Sequence, residues 1–396
     1  MADGTIGVGM IGYSFMGAAH SQAWRSAGHF FDLPLDARMT AICGRDRAAT
    51  EAAAAKLGWH DVETDWRELI ARDDIQLIDI CSPGDTHAEI AIAALAAGKH
   101  VLCEKPLANT VAEAELMVAA AQEARRHGVR SMVGFNYRRV PAVALARKLV
   151  ADGRLGEIRH VRAQYLQDWI IDPQFPLVWR LQAERAGSGA LGDIGAHIVD
   201  ATQFIVGDRL AGVSGLTETF VKERPLPSSS SGLSAGSRGG TGAVTVDDAA
   251  LFFGRFHGGA LGSFEATRFA GGRKNAIRIE VNGSLGSLAF DFEAMNELHL
   301  YDGTAGTETG GFTRILVTEP EHPYLRAWWP AGHLIGYEHS FTHEIADLLA
   351  DLGNHTDPSP SFEDGLQVQQ VLAAVVESAA AGSHWQDLPA VTRNAA

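Results

Sequence analysis

The 396-residue chain carries 33 basic against 48 acidic residues, a formal net charge of −15, with 46% hydrophobic and 20% charged residues. Such a charge gives no general attraction to nucleic acid or to an anionic membrane surface, so an anionic ligand has to be held by a local site. The composition is that of folded protein, and the length allows two domains. The start of the chain has no basic region followed by an apolar one, and no later stretch runs 18 uninterrupted apolar residues; a cytoplasmic protein with a small soluble ligand is expected. Cys43, Cys81 and Cys103 lack C-x-x-C spacing, which fits a reduced compartment and assigns them no chemistry.

In chain order, Thr5 to Ile11 reads as a buried strand and FMGAAHSQAW as a helix. RMTAIC is a strand, AATEAAAAKLG a helix ended by Gly58, and DWRELIARD a further helical stretch. IQLIDIC, HAEIAIAALAAG, KHVLCE, TVAEAELMVAAAQEARRHG and RSMVGFN continue the alternation of strand and helix. Continuous apolar runs in the strands predict a parallel sheet covered on both faces. The expected fold is α/β: an N-terminal Rossmann-type doubly wound parallel sheet over residues 1–135, plus a C-terminal α+β domain with a large, mostly antiparallel sheet over 136–396. In that second part, IRHVRAQYLQDW, AALFFGRFHGGALGSFEATR, NAIRIEVNG and GSLAFDF read as strands between Gly-rich turns. The Ser/Gly tract over 226–245 reads as a mobile surface loop. Two final helices, GYEHSFTHEIADLLADL and GLQVQQVLAAVVESAAAG, close the chain, the last expected to pack back on the first domain.

TIGVGMIGYSFMG contains an intact G-x-G-x-x-G at Gly7, Gly9 and Gly12 and an imperfect copy at Gly12, Ser14 and Gly17. Starting a phosphate loop at Gly7 leaves two residues for the preceding strand; starting it at Gly12 leaves seven, roughly 23 Å of chain. The imperfect copy is therefore the expected phosphate loop, with Phe15 and Met16 inside it. Ser14 puts a side chain where the middle glycine normally gives close approach, and its hydroxyl offers a donor instead. The second strand ends ICGRD, without an acid at Cys43 or Gly44 and with Arg45 following. This leans toward NADP over NAD, while Asp46 leaves the NAD route open.

Lys105, in HVLCEKPLA, follows a parallel strand at the edge where open α/β sheets bind ligands. GSGALGDIGAHIVD reads as a Gly-initiated helix in which Asp193 and His197, four apart, lie on one face, and a neutral imidazole can accept an alcohol proton. Taken singly, these residues also fit a solvated lysine and a helical ion pair. His339 and His343 have helical metal-pair spacing, but EHSFTHE lacks the zincin glutamate and a third ligand, so no metal is expected.

Together, MIGYSFMGAAH, CSPGDTHAEIAIAALAAGKHVLCEKPLA, GFNYRR, GSGALGDIGAHIVD and FEDGLQVQQVLAAVVESAAAG resemble the Gfo/Idh/MocA family of nicotinamide-dependent sugar and inositol oxidoreductases. The resemblance implies NAD(P) as cofactor and Lys105, Asp193 and His197 as the catalytic set. It also implies that Ser82, Pro83, His87 and Glu104 join Gly12, Ser14, Phe15, Met16, Gly17, Gly44, Arg45 and Lys105 around the cofactor. FNYRRVPAVALARK, YLQDW and PLVWR are most similar to members that oxidise a pyranose ring hydroxyl, typically at C3. Tyr137, Arg138, Gln167, Asp168, Trp169 and Trp179 are the expected sugar contacts, with Trp329 and its neighbour Trp328 reaching in from a loop of this or a neighbouring subunit. Arg138 and Arg139 leave room for an anionic sugar. Gly84 and Ser14 depart from the pattern of many relatives. A homodimer or homotetramer is expected by the same analogy. An inositol dehydrogenase, an enzyme cleaving glycosides through transient oxidation, and a nucleotide-sensing regulator remain alternatives.

Overall fold

The computed structural model describes residues 4–231 and 234–389; the side chains of 228–238 lie outside that description, as does the tip of the Ser/Gly tract. Six strands form a parallel sheet: β1 (Thr5–Ile11), β2 (Asp36–Cys43), β3 (Asp61–Glu63), β4 (Leu77–Ile80), β5 (His100–Glu104) and β6 (Ser131–Gly134), in the order β3-β2-β1-β4-β5-β6. Between them run helices α1 (Phe15–Phe30), α2 (Arg47–Leu57), α3 (Trp66–Ala71), α4 (His87–Ala96) and α5 (Val111–Arg126). Strand order reverses between β1 and β4, and ligands of such sheets bind at that switch point, beyond the strands' C-terminal ends. Local signals set these boundaries. Asp46 caps α2 by accepting from the Ala49 amide, Gly58 ends it at φ +87°, and Thr110 with Glu113 forms a capping box on α5.

Next come α6 (Pro141–Ala151), β7 (Ile158–Leu166), the short helix α7 (Ala183–Ala186), α8 (Ala196–Val206), β8 (Leu210–Glu218), β9 (Glu223–Ser231), β10 (Ser234–Ala243), β11 (Ala249–Phe256), β12 (Leu261–Thr267), β13 (Ala276–Gly283), β14 (Gly286–Asp291), β15 (Glu297–Asp302) and β16 (Thr313–Leu316). Helices α9 (Tyr337–Gly353) and α10 (Phe362–Ala380) and strand β17 (Gln386–Asp387) follow. Among the described residues the second sheet has nine strands, ordered β16-β15-β14-β13-β7-β12-β11-β8-β17. It is antiparallel except at β7–β12, where Ala163 lies beside Phe264 in parallel register. The Ser/Gly tract corrects the sequence expectation of a loop: its backbone pairs as the antiparallel hairpin β9–β10, Ser231 opposite Ser234. A ladder needs only backbone donors and acceptors, so a tract too polar to pack can still pair.

α9 lays Phe341, Ile345, Leu348, Leu349 and Leu352 against Ala23, Trp24 and Ala27 of α1, and α10 packs on α5 and β8. Arg138 and Arg139 fasten this arrangement. Arg138 forms a two-pronged pair with Asp200 of α8, Nε at 2.8 Å and Nη2 at 2.5 Å, and Arg139 Nε lies 3.1 Å from Asp347 of α9. Both guanidiniums are thus committed inside the protein, which corrects their expected place against an anionic sugar. His343 has both ring nitrogens in hydrogen bonds, with the Arg139 carbonyl and the Trp328 indole N–H. Among the described residues no helix is long and apolar enough to cross a membrane.

Glu344 on α9 is fully buried, and neither carboxyl oxygen has a hydrogen-bond partner among the described residues. Burial pushes its carboxyl up to about 8, against the pull of the Arg139 and His20 cations. Between about pH 4.5 and 8 the folded chain therefore holds a proton that the unfolded chain has released, and stability falls as pH rises, by at most about 1.4 kcal/mol per pH unit from this group. Glu344→Gln is expected to remove that slope, so that its melting temperature gains on the wild type progressively from pH 5 to 8. A difference independent of pH in thermal denaturation would refute the assignment.

Candidate active site

β1 ends at Ile11 and α1 begins at Phe15, so Gly12–Ser14 forms the turn at the switch point. Gly12 is left-handed at φ +96°, and a Cβ there would stand 2.8 Å from the Cys81 carbonyl; a Cβ on Gly17 would overlap the Gly12 oxygen. These glycines let backbone line the turn. Gly7 and Gly9 lie inside β1, where a Cβ on Gly7 would overlap the Asp74 carbonyl, so packing is what requires a glycine there. Ser14 is the N-cap of α1 but makes no side-chain bond to its helix and is exposed. Its hydroxyl and the first-turn amides of a 16-residue helix are left for an anion.

The neighbouring residues complete a cradle that suits a dinucleotide. Phe15 is 46% exposed and stacks on Tyr337 at 6.3 Å, and Met16 is half-buried beside it. At the end of β2, the Tyr13 ring lies so close to Gly44 that a Cβ there would overlap it, and Arg45 is exposed. Beyond β4, the Ser82 hydroxyl is 2.7 Å from that of Thr86, and Pro83 leads into α4. The His87 ring sits between the carbonyls of Ser82 and Pro106, at 2.9 and 3.0 Å, joining this turn to the one after β5.

That second turn holds Glu104 and Lys105, with a cis peptide between Lys105 and Pro106. Lys105 Nζ donates to the Asp193 carbonyl at 2.6 Å and lies 3.4 Å from its Oδ1. Asp193 is not on a regular α-helix, as the sequence suggests: Leu191–Gly195 is a π turn, in which the Ala196 N–H donates to the Leu191 carbonyl. Asp247 holds the turn's start, its carboxylate accepting from the Gly189 and Leu191 amides at 2.7 and 2.8 Å. A Cβ on Gly189 would overlap the Asp247 carbonyl, so the turn can approach the segment between β10 and β11 only with glycine there.

Burial alone would raise the Asp193 carboxyl; Lys105, Arg268 and Arg180 overcome it and hold it down at about 2. Arg268, fully buried, places Nη1 3.6 Å from Asp193 Oδ2. Burial, with the Lys105 charge, holds His197 well below the usual imidazole range, so it is neutral. Its ring packs 4.6 Å from Tyr137, and its buried Nδ1 has no hydrogen-bond partner among the described residues. Asp193 serves Lys105 and Arg268, with no hydrogen bond to His197 among the described contacts.

A chain of polar groups leads away from His197. Tyr137 and Tyr165 hydroxyls are 2.8 Å apart, Tyr165 donates to Asn275 Oδ1 at 2.7 Å, and Gln167 Nε2 donates to the same oxygen at 2.8 Å. Trp169 Nε1 donates to Gln167 Oε1 at 3.0 Å, and the Arg268 guanidinium lies over the Trp169 ring. Residues 165, 167 and 169 share a side; Asp168 is out of phase and pairs with Lys274 at 2.7 Å and the Gly272 amide. Trp179 stacks on Arg180. Trp329 is 48% exposed and its ring partners are Phe30 and Trp328, so within one copy of the chain it is not gathered with these groups. Tyr165, Asn275 and Arg268 escape the sequence reading. Period-two spacing from Gln167 could have found Tyr165, whereas the other two depend on strand register.

Comparison with known proteins places this geometry. Residues 6–135 match the oxidoreductase-family NAD-binding Rossmann fold, and residues 143–289 match the GFO/IDH/MocA C-terminal domain. The chain is 42% identical over 392 residues to levoglucosan dehydrogenase of Pseudarthrobacter phenanthrenivorans, covering 98% of this chain and 99% of that one. The solved structure of an oxidoreductase domain protein from Kribbella flavida is 67% identical, with a TM-score of 0.93, over 98% of this chain and 100% of that one. A levoglucosan dehydrogenase complex with NADH and levoglucosan superposes with a TM-score of 0.91 at 40% identity, with the same coverage. A glycine turn at the switch point, a lysine after β5 and a histidine following a π turn in the second domain thus sit on a shared frame, and the chain belongs to the Gfo/Idh/MocA family of oxidoreductases.

Proposed function

We propose that the protein is an NAD(H)-dependent dehydrogenase that oxidises a secondary ring hydroxyl, C3 in the first instance, of an anhydrosugar or related pyranose such as levoglucosan. The observation that carries this reading is the pairing of Lys105 with Asp193 beside a buried, neutral His197. The nicotinamide supplies the hydride acceptor. Gly12, Gly17 and the amides of the first turn of α1 would hold the pyrophosphate, with Ser14 donating its hydroxyl to a phosphate oxygen. His197 would take the hydroxyl proton as the carbon gives up its hydride. Lys105 would hydrogen-bond the same oxygen and stabilise the developing negative charge. Asp193 fixes the Lys105 ammonium, and the Tyr137–Tyr165–Asn275–Gln167 chain offers hydrogen bonds to the other hydroxyls, with Trp169 as an apolar face.

NAD replaces the sequence lean toward NADP. The family's first domain is an NAD-binding one, a relative is complexed with NADH, and Asp46, which caps α2, stands next to Arg45. The open face of the large sheet supports a homo-oligomer: Leu251 lies beside Leu216, Phe253 follows it, and Leu261 pairs with Arg255, with Leu251, Phe253 and Leu216 more than half exposed. An apolar patch of this kind marks an interface. Light scattering should return at least a dimer mass, and a monomer mass at micromolar concentration overturns this part of the reading.

NADH formation with levoglucosan is the direct test. Lys105→Ala should lower kcat on the order of 10²–10³-fold with the fold intact. Because His197 stays neutral to low pH, the acid limb of kcat/KM should fall well below pH 6.5; a limb at or above 6.5 would remove His197 as the base. Ser14→Ala should raise the Kd of NADH about tenfold or more, the loss of one hydrogen bond to a charged oxygen; titration showing unchanged affinity would leave Ser14 without that role.

A further inference from the structure

Beneath Lys105 lies a buried polar chain that the cofactor cradle and the catalytic cluster do not use. His20, on α1, is fully buried, with Nδ1 3.0 Å from both Asp79 oxygens and Nε2 2.9 Å from Glu104 Oε1. Trp24 Nε1 donates to Asp79 Oδ2 at 2.7 Å at the far end, and at the near end Glu104 Oε2 accepts from the Lys105 main-chain N–H at 3.0 Å. Asp79 and Glu104 are 0% and 4% exposed. His20, whose imidazole is raised well above its usual range, can donate from both nitrogens, one to an oxygen at each end. His20, Asp79 and Cys81 also bring ligand-type atoms within 4.8 Å of one another. The His20 nitrogens and the Asp79 oxygens are already engaged in hydrogen bonds, and a hydrogen-bonded chain accounts for the cluster.

We infer that His20 is a positioning residue for catalysis: by gripping Glu104 from below it fixes the main chain of Lys105 and thereby the direction in which the ammonium reaches Asp193 and the substrate oxygen. Glu104 has one oxygen for each of its two partners. Without the His20 bond it can turn about its own side chain, and the Lys105 amide loses its fixed acceptor. Lys105 Nζ stands at the end of four rotatable bonds, so a small rotation at its main chain is a large displacement at the ammonium, and misplacement of this order weakens catalysis steeply. Burial works against the charge on His20, and Asp79 and Cys81 together more than offset it, raising the imidazole well above its usual range; the ring therefore keeps both protons at neutral pH. His20 lies on the same helix that opens at the phosphate turn, three residues after Gly17, so one rigid element carries both the anion site and this grip.

The test separates the two ring nitrogens and rests on the dehydrogenase reading above. In His20→Asn the side-chain amide reaches the place of Nδ1 and can serve Asp79 alone; in His20→Gln it reaches the place of Nε2 and can serve Glu104. Both remove a buried cation, so a merely structural role would affect them alike. The expected result is a kcat for NADH formation from levoglucosan about tenfold lower in H20N than in H20Q, with sugar KM values within twofold of each other. Equal kcat values in two folded variants, or wild-type kcat in H20N, overturn the inference. Should H20N fail to fold by circular dichroism, Glu104→Gln, whose one carbonyl oxygen cannot serve both partners, should lose at least tenfold in kcat, and wild-type kcat there overturns it equally. Absence of turnover by the wild-type enzyme, run alongside, is a failure of the functional reading and not of this one.

Discussion

The contact of Lys105 Nζ with the Asp193 carbonyl, at 2.6 Å, joins the end of a parallel strand to a π turn 88 residues later. It can form only if both backbones are already held. On one side His87 bridges the turns after β4 and β5; on the other Asp247 receives the amides of Gly189 and Leu191. Neither support touches the reacting groups, yet both set where an ammonium on a flexible four-carbon stem comes to rest. Arg138 and Arg139 hold the same geometry from behind, tying the segment after β6 to α8 and α9.

Electrostatics are arranged locally, against the grain of the whole chain. A protein of net charge −15 gathers Lys105, Arg180 and Arg268 around one carboxylate, Asp193, and leaves His197 uncharged among aromatic rings. In such a dry setting a hydrogen bond to a developing alkoxide is stronger than it would be in water. On the proposed reading the glycine turn would hold the pyrophosphate through helix amides and the Ser14 hydroxyl.

Much of this is legible in the sequence because it depends on local chemistry. The length of a strand decides which glycines form the turn, and β1 over Thr5–Ile11 with α1 from Phe15 follows that logic. Lys105 at a strand end and Asp193 with His197 in a Gly-rich segment are visible because residue type and spacing coincide. What is not legible depends on register and tertiary pairing. The Ser/Gly hairpin is held by backbone pairing, to which hydropathy is blind. β3 is three residues long, below what periodicity can detect. Arg268 and Asn275 reach the site only because β7 pairs with β12 on one side and β13 on the other. Arg138 and Arg139 carry the wrong expectation for the same reason: their partners, Asp200 and Asp347, lie 62 and 208 residues away.

The π turn at Leu191–Gly195 gives the second domain a property that a regular helix would not have. One residue more than an α-turn requires is accommodated there, so the segment after it is rotated by about 100° relative to an uninterrupted helix. Asp193 and His197 consequently belong to two differently oriented pieces of chain. The carboxylate is free to address Lys105 and Arg268 while the imidazole packs against Tyr137, and a change that adjusts one need not drag the other with it. Deleting a single residue in this segment would collapse two independent directions into one face, a change of geometry that no side-chain substitution could reproduce.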